Sequence, residues 1–326
     1  MTPVGAYDRS DRGEIMLTGE KILVTGASGL VGRPIAAYLA SANEVWGLAR
    51  FGAAADPQAM NTQPSSRAEM DSMGITTRPI DLANPDLSDL PDDFTYVIHL
   101  AHTRLGADFM RAVQVNAVGA GLVLHHCRRA KAALVMSSAA VYSPSADVFR
   151  PLHENDDLGK AVTPWAPSSP ASKVSLEAVA RFCAEAYDLP TTITRLNTVY
   201  GEMGGLPIMN MESVVAGEKV VTFADPYPHS PIHIDDVCDQ IEAMLDAAAT
   251  PATIVNWAGD QVVTLQDWCG QAGELAGLQP EIEVVRIPGG LNGNVADVTR
   301  RQSITGPCRT DFAEAFAGLY RRRYGA

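Results

Sequence analysis

A short β-rich run at 21–25 leads directly into Thr25-Gly26-Ala27-Ser28-Gly29-Leu30-Val31-Gly32, and an Ala/Leu-rich segment with helical spacing follows as far as Ala40. Strand, glycine turn and helix in that order constrain the fold more than any other feature of the chain. Glycines let the backbone turn tightly and let its amides approach an anion, while the first turn of the helix aims further N–H groups at the same point. Gly26, Ser28, Gly29, Leu30, Val31 and Gly32 are therefore candidates to cradle a pyrophosphate. A glycine pattern alone would be weak evidence and could mark only a structural turn; the flanking strand and helix favour binding.

Further β-rich runs at 44–49, 75–80, 95–100, 132–136 and 191–195 alternate with helical segments. This alternation predicts an α/β fold, a Rossmann-type doubly wound parallel sheet covered on both faces. The stretch 51–73 reads as a loop with at most one short helix. Beyond Asn197 the pattern loosens, with Pro207, Pro226, Pro228 and Pro231 breaking it and a brief strand at 220–223. A helix at 234–249, a returning strand at 253–257 and a helix at 265–276 follow. The expected organisation is an N-terminal extension at 1–19, a Rossmann domain binding NADP at 20–196 completed by 233–258, and a smaller C-terminal substrate-binding part at 197–232 and 259–326. Arg321, Arg322 and Arg323 read as a solvated helix end favoured by the helix dipole.

Composition excludes several classes. With 326 residues and 46% hydrophobic content the chain can bury a large core, and a net charge of -13 repels nucleic acid and anionic membranes. No stretch is apolar enough to span a bilayer or act as a signal core. The five cysteines show neither CxxC nor zinc spacing, which points to a reducing cytoplasm. His125-His126 lacks a third ligand at a recognisable spacing, so no metal is expected. There is no GxSxG nucleophile elbow.

The second strand ends at Arg50, where a site selecting NAD(H) would carry Asp or Glu for the ribose diol. A guanidinium there suits a 2′-phosphate, and Arg33 could flank it, so NADP(H) is favoured over NAD(H). The plainer reading leaves both arginines merely solvated. Asp81 and Leu82 follow the third strand, where they would meet the adenine edge; Asp81 could equally be a helix N-cap. Leu100, Ala101 and His102 end the fourth strand and should lie over the cofactor. His99, inside that strand, reads as a packed core histidine.

Besides TGASGLVG, the chain carries VIHLA at 97–101, Asn116 in VNAVG, SSAAVY at 137–142, RLNTVYG at 195–201 and IHIDDV at 232–237. In these motifs it resembles the extended short-chain dehydrogenase/reductase family of nucleotide-sugar epimerases, dehydratases and ketoreductases, from Lys21 to about Ala258. The resemblance implies a catalytic Ser138, which would bind a substrate oxygen, and a Lys173 that would hold the nicotinamide ribose. It also implies a tyrosine four residues before Lys173, but Ser169 stands there and no tyrosine occurs between Tyr142 and Tyr187. A serine hydroxyl is a far weaker acid than a phenol and sits on a shorter side chain. Ser169-Pro170 reads more simply as a helix N-cap and first-turn pair.

Proton delivery then falls to His102, as imidazole titrates near neutrality, or to Tyr142, Tyr200, water or an acidic hydroxyl of the substrate. Tyr142, Asn197, Tyr200 and His229 are the candidate substrate contacts. His229 occupies the place where many sugar-nucleotide relatives carry arginine, and Met203, Met209, Met211, Phe223 and Tyr227 could line an apolar pocket or simply form core. The leading expectation is an NADPH-dependent ketoreductase acting on a small natural-product carbonyl. The alternatives are a nucleotide-sugar epimerase or dehydratase and a non-catalytic NADP(H) sensor or scaffold. A homodimer through the helices near 106–129 and 172–187 is also expected from the resemblance.

Overall fold

The computed structural model describes residues 17–51 and 66–325, so most of the expected N-terminal extension and of the 51–73 loop lies outside the described residues. The chain runs β1 (Lys21–Thr25), α1 (Gly32–Ala40), β2 (Glu44–Ala49), α2 (Arg67–Ser72), β3 (Thr76–Pro79) and β4 (Tyr96–His99). Next come α3 (Phe109–Val113), a wider helical turn at Gln114–Val118, α4 (Gly119–His126), β5 (Ala132–Ser138), α5 (Ser169–Tyr187) and β6 (Thr191–Leu196). The remainder comprises β7 (Val199–Gly201), β8 (Gly204–Gly205), α6 (Leu206–Val215), β9 (Val220–Thr222), β10 (Pro228–His229), β11 (Ile232–His233) and α7 (Ile234–Asp246). It closes with β12 (Thr253–Trp257), β13 (Val263–Thr264), α8 (Leu265–Ala276), β14 (Ile282–Val284), α9 (Thr299–Thr305) and α10 (Phe312–Tyr324).

Seven strands form one parallel sheet in the order β12-β6-β5-β4-β1-β2-β3. This is the Rossmann-type α/β arrangement. The interior of β1, β4 and the first half of β5 is apolar because both faces are covered, whereas β6 buries Thr191, Thr192, Thr194 and Arg195 as well. On one face Ile22, Val24, Ile98 and Leu134 pack with Ile35 and Leu39 of α1 and Val237 and Ile241 of α7. On the other, Leu23, Val97, Val135 and Ile193 pack with Val123 of α4 and Leu176 and Ala180 of α5. A third cluster joins α6, α8 and α10 through Met211, Trp268 and Phe316.

The chain lays β1, β2 and β3 outward in one direction and then returns to place β4 on the other side of β1. That reversal sets the carboxyl ends of β1 and β4 side by side at the switch in strand order, the place where sheets of this kind take ligands. The helix expected at 234–249 stops at Asp246, because the backbone of Ala249 is drawn off to accept the Thr191 amide at 2.9 Å. The arginine run is not merely solvated: Arg322 pairs with Glu202 and Arg323 with Glu212, tying α10 to the turn between β7 and β8 and to α6. Among the described residues no helix is long and apolar enough to cross a membrane.

Candidate active site

The glycine turn is built for close approach. Gly26 has φ +70°, and a Cβ there would lie 2.9 Å from the Ala101 backbone at the end of β4. A Cβ on Gly32 would collide with the Gly26 carbonyl oxygen, whereas one on Gly29 would meet only that oxygen, at 3.2 Å. Gly26 and Gly32 are thus fixed by packing, and Gly29 is crowded only by one backbone oxygen. The N-terminus of α1 has Val31 as its cap residue, with no side-chain hydrogen bond to its amides. A helix N-terminus with no side-chain cap beside a glycine turn fits a pyrophosphate, although the Arg33 amide already donates to the Gly29 carbonyl at 3.0 Å.

β1 and β4 are locked together beneath this turn. The Thr25 hydroxyl lies 3.0 Å from Nδ1 of His99 and accepts from the Ala101 amide at 3.2 Å. His99 is fully buried, and burial pulls it down to about 3, so its ring is neutral and Nδ1 can accept the Thr25 proton. It is a core histidine that aligns Leu100 and Ala101 with the glycine turn.

On the adenosine side the expected residues separate. Arg50 is exposed just beyond β2. Arg33 is half-buried and paired with Glu69 of α2, which takes up part of its charge. Asp81 caps a turn, not a helix, by accepting from the Ala83 amide at 3.0 Å, and Leu82 packs against Gly119.

On the nicotinamide side Ser138 ends β5, and its Oγ accepts from the Ala140 amide at 3.1 Å. Lys173 is buried in α5 and donates to the Met136 carbonyl at 2.6 Å; burial pulls it down to about 7, with Glu177 one turn later opposing the shift. Glu177 in turn holds Arg195 through two bonds of 3.0 and 2.9 Å and accepts from Ser137 at 2.6 Å. Ser169 does not cap α5, since Ser168 occupies that position; its Oγ instead lies 3.0 Å from Nε2 of His102.

The four proposed substrate contacts occupy different surroundings. Tyr142 is buried beneath the Arg195 guanidinium and donates to Asn256 at 2.5 Å, and burial pushes it up to about 12. Tyr200 is also buried, against His233 and Phe312, and its pKa is raised by that burial and by Asp236. His229 is buried among Tyr227, Trp268 and Thr198, with Nδ1 2.8 Å from the Thr198 hydroxyl, and burial holds it at about 3. Asn197 donates to the Asn294 carbonyl at 2.9 Å, joining β6 to the 285–298 segment. Met211 and Tyr227 belong to the third core cluster, and Met209 is exposed.

Two features escaped the sequence reading. Asn116, in the wide helical turn, accepts from the Thr103 amide at 2.8 Å and donates to the Thr103 carbonyl at 2.9 Å and Ser172 at 3.3 Å. Trp165 stacks on Phe223 at 4.8 Å between ring centroids, bridging the 143–168 loop to the end of β9. The Asn116 clamp depends on a π-type turn that has no sequence signature. Among the described residues no group of three or more His, Cys, Asp or Glu is placed to hold a metal.

A Rossmann sheet edge with this glycine turn, Ser138 and Lys173 beside it and His102 within reach of Ser169 defines a nicotinamide-dinucleotide oxidoreductase of the short-chain dehydrogenase/reductase class. The sequence model of the NAD dependent epimerase/dehydratase family matches residues 22–258, and the chain belongs to that family. Solved structures with the same fold include the UDP-glucuronic acid 4-epimerase of Bacillus cereus in complex with UDP-glucuronic acid and NAD. It is 22% identical with TM-score 0.75, covering 93% of this chain and 100% of that one. The UDP-N-acetylglucosamine 4-epimerase of Methanobrevibacter ruminantium M1 is 19% identical with TM-score 0.76, covering 94% and 100%. The dTDP-glucose 4,6-dehydratase of Bacillus anthracis, in complex with NAD, is 17% identical with TM-score 0.75, covering 94% and 98%. No curated protein sequence matches the chain.

These likenesses correct the leading expectation of a ketoreductase for small natural-product carbonyls. The family is one of epimerases and dehydratases, and the structures that share the fold act on nucleotide sugars.

Proposed function

We propose that the chain is an epimerase- or dehydratase-type enzyme for a nucleotide-linked sugar, using a bound nicotinamide dinucleotide to oxidise one hydroxyl-bearing carbon. The observation that carries this reading is the sheet edge where Gly26 abuts Ala101, with Ser138 ending β5, Lys173 in the first turns of α5 and Asn197 just after β6. The dinucleotide, when bound, supplies the hydride acceptor. Ser138 orients the substrate oxygen. Lys173 holds the ribose, for which its ammonium must turn from the Met136 carbonyl. Residues 197–232 and 259–326 form the substrate side, where the stacked Trp165 and Phe223 offer aromatic faces for a nucleobase.

Arg50, exposed and following a strand that ends without a carboxylate, supports NADP(H) over NAD(H). Five cysteines kept as free thiols support a reducing, cytoplasmic setting. A homodimer through α3, α4 and α5 completes the proposal.

The test is calorimetry with NAD+ and NADP+, followed by product analysis with UDP-glucose, UDP-glucuronic acid and dTDP-glucose. Saturable binding and conversion of one sugar, by inversion or by loss of water, is the expected outcome. Arg50→Ala should weaken NADP+ about tenfold and leave NAD+ nearly unchanged, consistent with loss of one charge-assisted contact of roughly 1.4 kcal/mol. Tight dinucleotide binding with no sugar converted would instead identify a sensor.

A further inference from the structure

Ser169 stands in the first turn of α5, four residues before Lys173, where the family tyrosine would be. Its Oγ reaches across to Nε2 of His102 at 3.0 Å. His102 leaves the carboxyl end of β4 immediately after Ala101, the residue that abuts the glycine turn. The pair therefore joins the helix that should carry the proton donor to the strand edge that should carry the cofactor.

Neither partner is loosely held. The Ser169 amide donates to the Ala166 carbonyl at 3.0 Å, and its own carbonyl accepts from Ser172 at 3.1 Å. The Asn116 carboxamide grips Thr103, next to His102, and also Ser172, so one buried amide fixes the spacing of both segments. Nδ1 of His102 is buried without a partner. The ring is faced by Lys173 from α5, Arg104 from its own loop and His99 from β4; burial first, and then these groups, keep it neutral. A neutral imidazole has one free lone pair, and in the Nδ1–H tautomer it is Nε2 that accepts from the serine hydroxyl 3.0 Å away.

We propose that Ser169 and His102 together replace the missing phenol, as a relay that takes a proton from the substrate hydroxyl and returns it. The substrate O–H breaks as a new O–H forms on Ser169, while the original Ser169 proton passes to Nε2 of His102. The hydrogen on the substrate carbon leaves with its electron pair to the oxidised dinucleotide, and a carbonyl remains. Reversal of each transfer restores the hydroxyl. Burial leaves His102 a weaker base than the near-neutral imidazole expected from the sequence, so the first transfer must accompany departure of the hydride, and the proton is readily given back. That suits a reaction whose cofactor ends in the redox state in which it began. The short reach of serine requires the reacting hydroxyl to come closer to α5 than a tyrosine would.

The relay rests on the nucleotide-sugar reading only for the identity of the hydroxyl, and the test separates the two. In histidine-labelled protein, 15N NMR should show neutral His102 with Nδ1 protonated and Nε2 bare, and the Nε2 signal should move in Ser169→Ala but stay in Ser175→Ala. A protonated Nε2, or one indifferent to Ser169→Ala, overturns the relay whatever the substrate is. With UDP-glucose, Ser169→Ala and His102→Gln should each lower kcat by about 100-fold with KM within about threefold, and the double variant should be no worse than the worse single. Ser169→Thr, which keeps the hydroxyl, should recover most of the rate. Wild-type turnover in Ser169→Ala also overturns the relay. Failure of the unaltered protein to convert any nucleotide sugar removes the sugar reading, and the NMR result still decides the pair.

Discussion

At the residue scale, the arrangement depends on a charge pair that touches no ligand. Arg195 and Glu177 are both buried, held by two hydrogen bonds, with the Tyr142 ring against the guanidinium. A third guanidinium bond, 2.8 Å to the Glu154 carbonyl, leaves little of its donor capacity unused. Such a pair adds little over a well-packed apolar substitute, but removing one member strands the other charge inside. Glu177→Gln should therefore cost about 3 kcal/mol, read as a lower midpoint in denaturant with an unchanged slope. A shift below about 0.5 kcal/mol would mean that the guanidinium finds water or another acceptor. Lys173 shares the helix face with Glu177, so the variant should also lower its pKa further by removing the nearest opposing carboxylate.

At the element scale, the glycine turn separates packing from binding. Gly32 is pressed onto the Gly26 carbonyl by the crossing of turn and helix, with its Cβ position overlapping that oxygen, while that of Gly29 is 3.2 Å from it and meets nothing else. Gly32→Ala should thus lower both thermal stability and dinucleotide affinity. Gly29→Ala, whose methyl meets only the Gly26 carbonyl oxygen at 3.2 Å, should lower the melting temperature less than Gly32→Ala while weakening affinity about tenfold or more, because the methyl would stand where a phosphate must approach. Equal loss of stability in both variants would refute that division of roles. This turn was legible in the sequence because its chemistry is local: strand, glycines and helix are adjacent in the chain. The sheet was legible for the same reason, as alternating apolar runs announce buried parallel strands. The candidate donor was not. Ser169 and His102 are separated by 67 positions, and nothing local shows that α5 starts one residue before Ser169 would cap it. Tyr142 likewise looked available because its partner, Asn256, lies 114 positions away.

At the scale of the whole molecule, a chain of net charge -13 has to gather an anionic dinucleotide, and by this proposal an anionic sugar nucleotide as well. The overall field opposes both, so affinity must come from short-range donors such as the bare amides of α1 and Arg50, while association should quicken with salt. The molecule also leaves large apolar side chains uncovered on one set of helices: Phe109 and Met110 at 48% and 83% exposure on α3, Leu122 at 44% on α4 and Phe182 at 64% on α5. The helices beneath them are drawn close, since a Cβ on Gly121 of α4 would lie 2.8 Å from Val179 of α5, which makes a flat, stiff face. Burying such side chains is worth about 25 cal/mol per Å², and a second copy of the same face can cover them by twofold symmetry. We therefore expect sedimentation to give twice the chain mass of 34.7 kDa at micromolar concentration. Met110→Asp with Phe182→Asp should yield a folded monomer, because two carboxylates would face an apolar partner. A monomeric unaltered protein would remove the dimer. A dimer that survives both aspartates would move the interface to another face of the molecule.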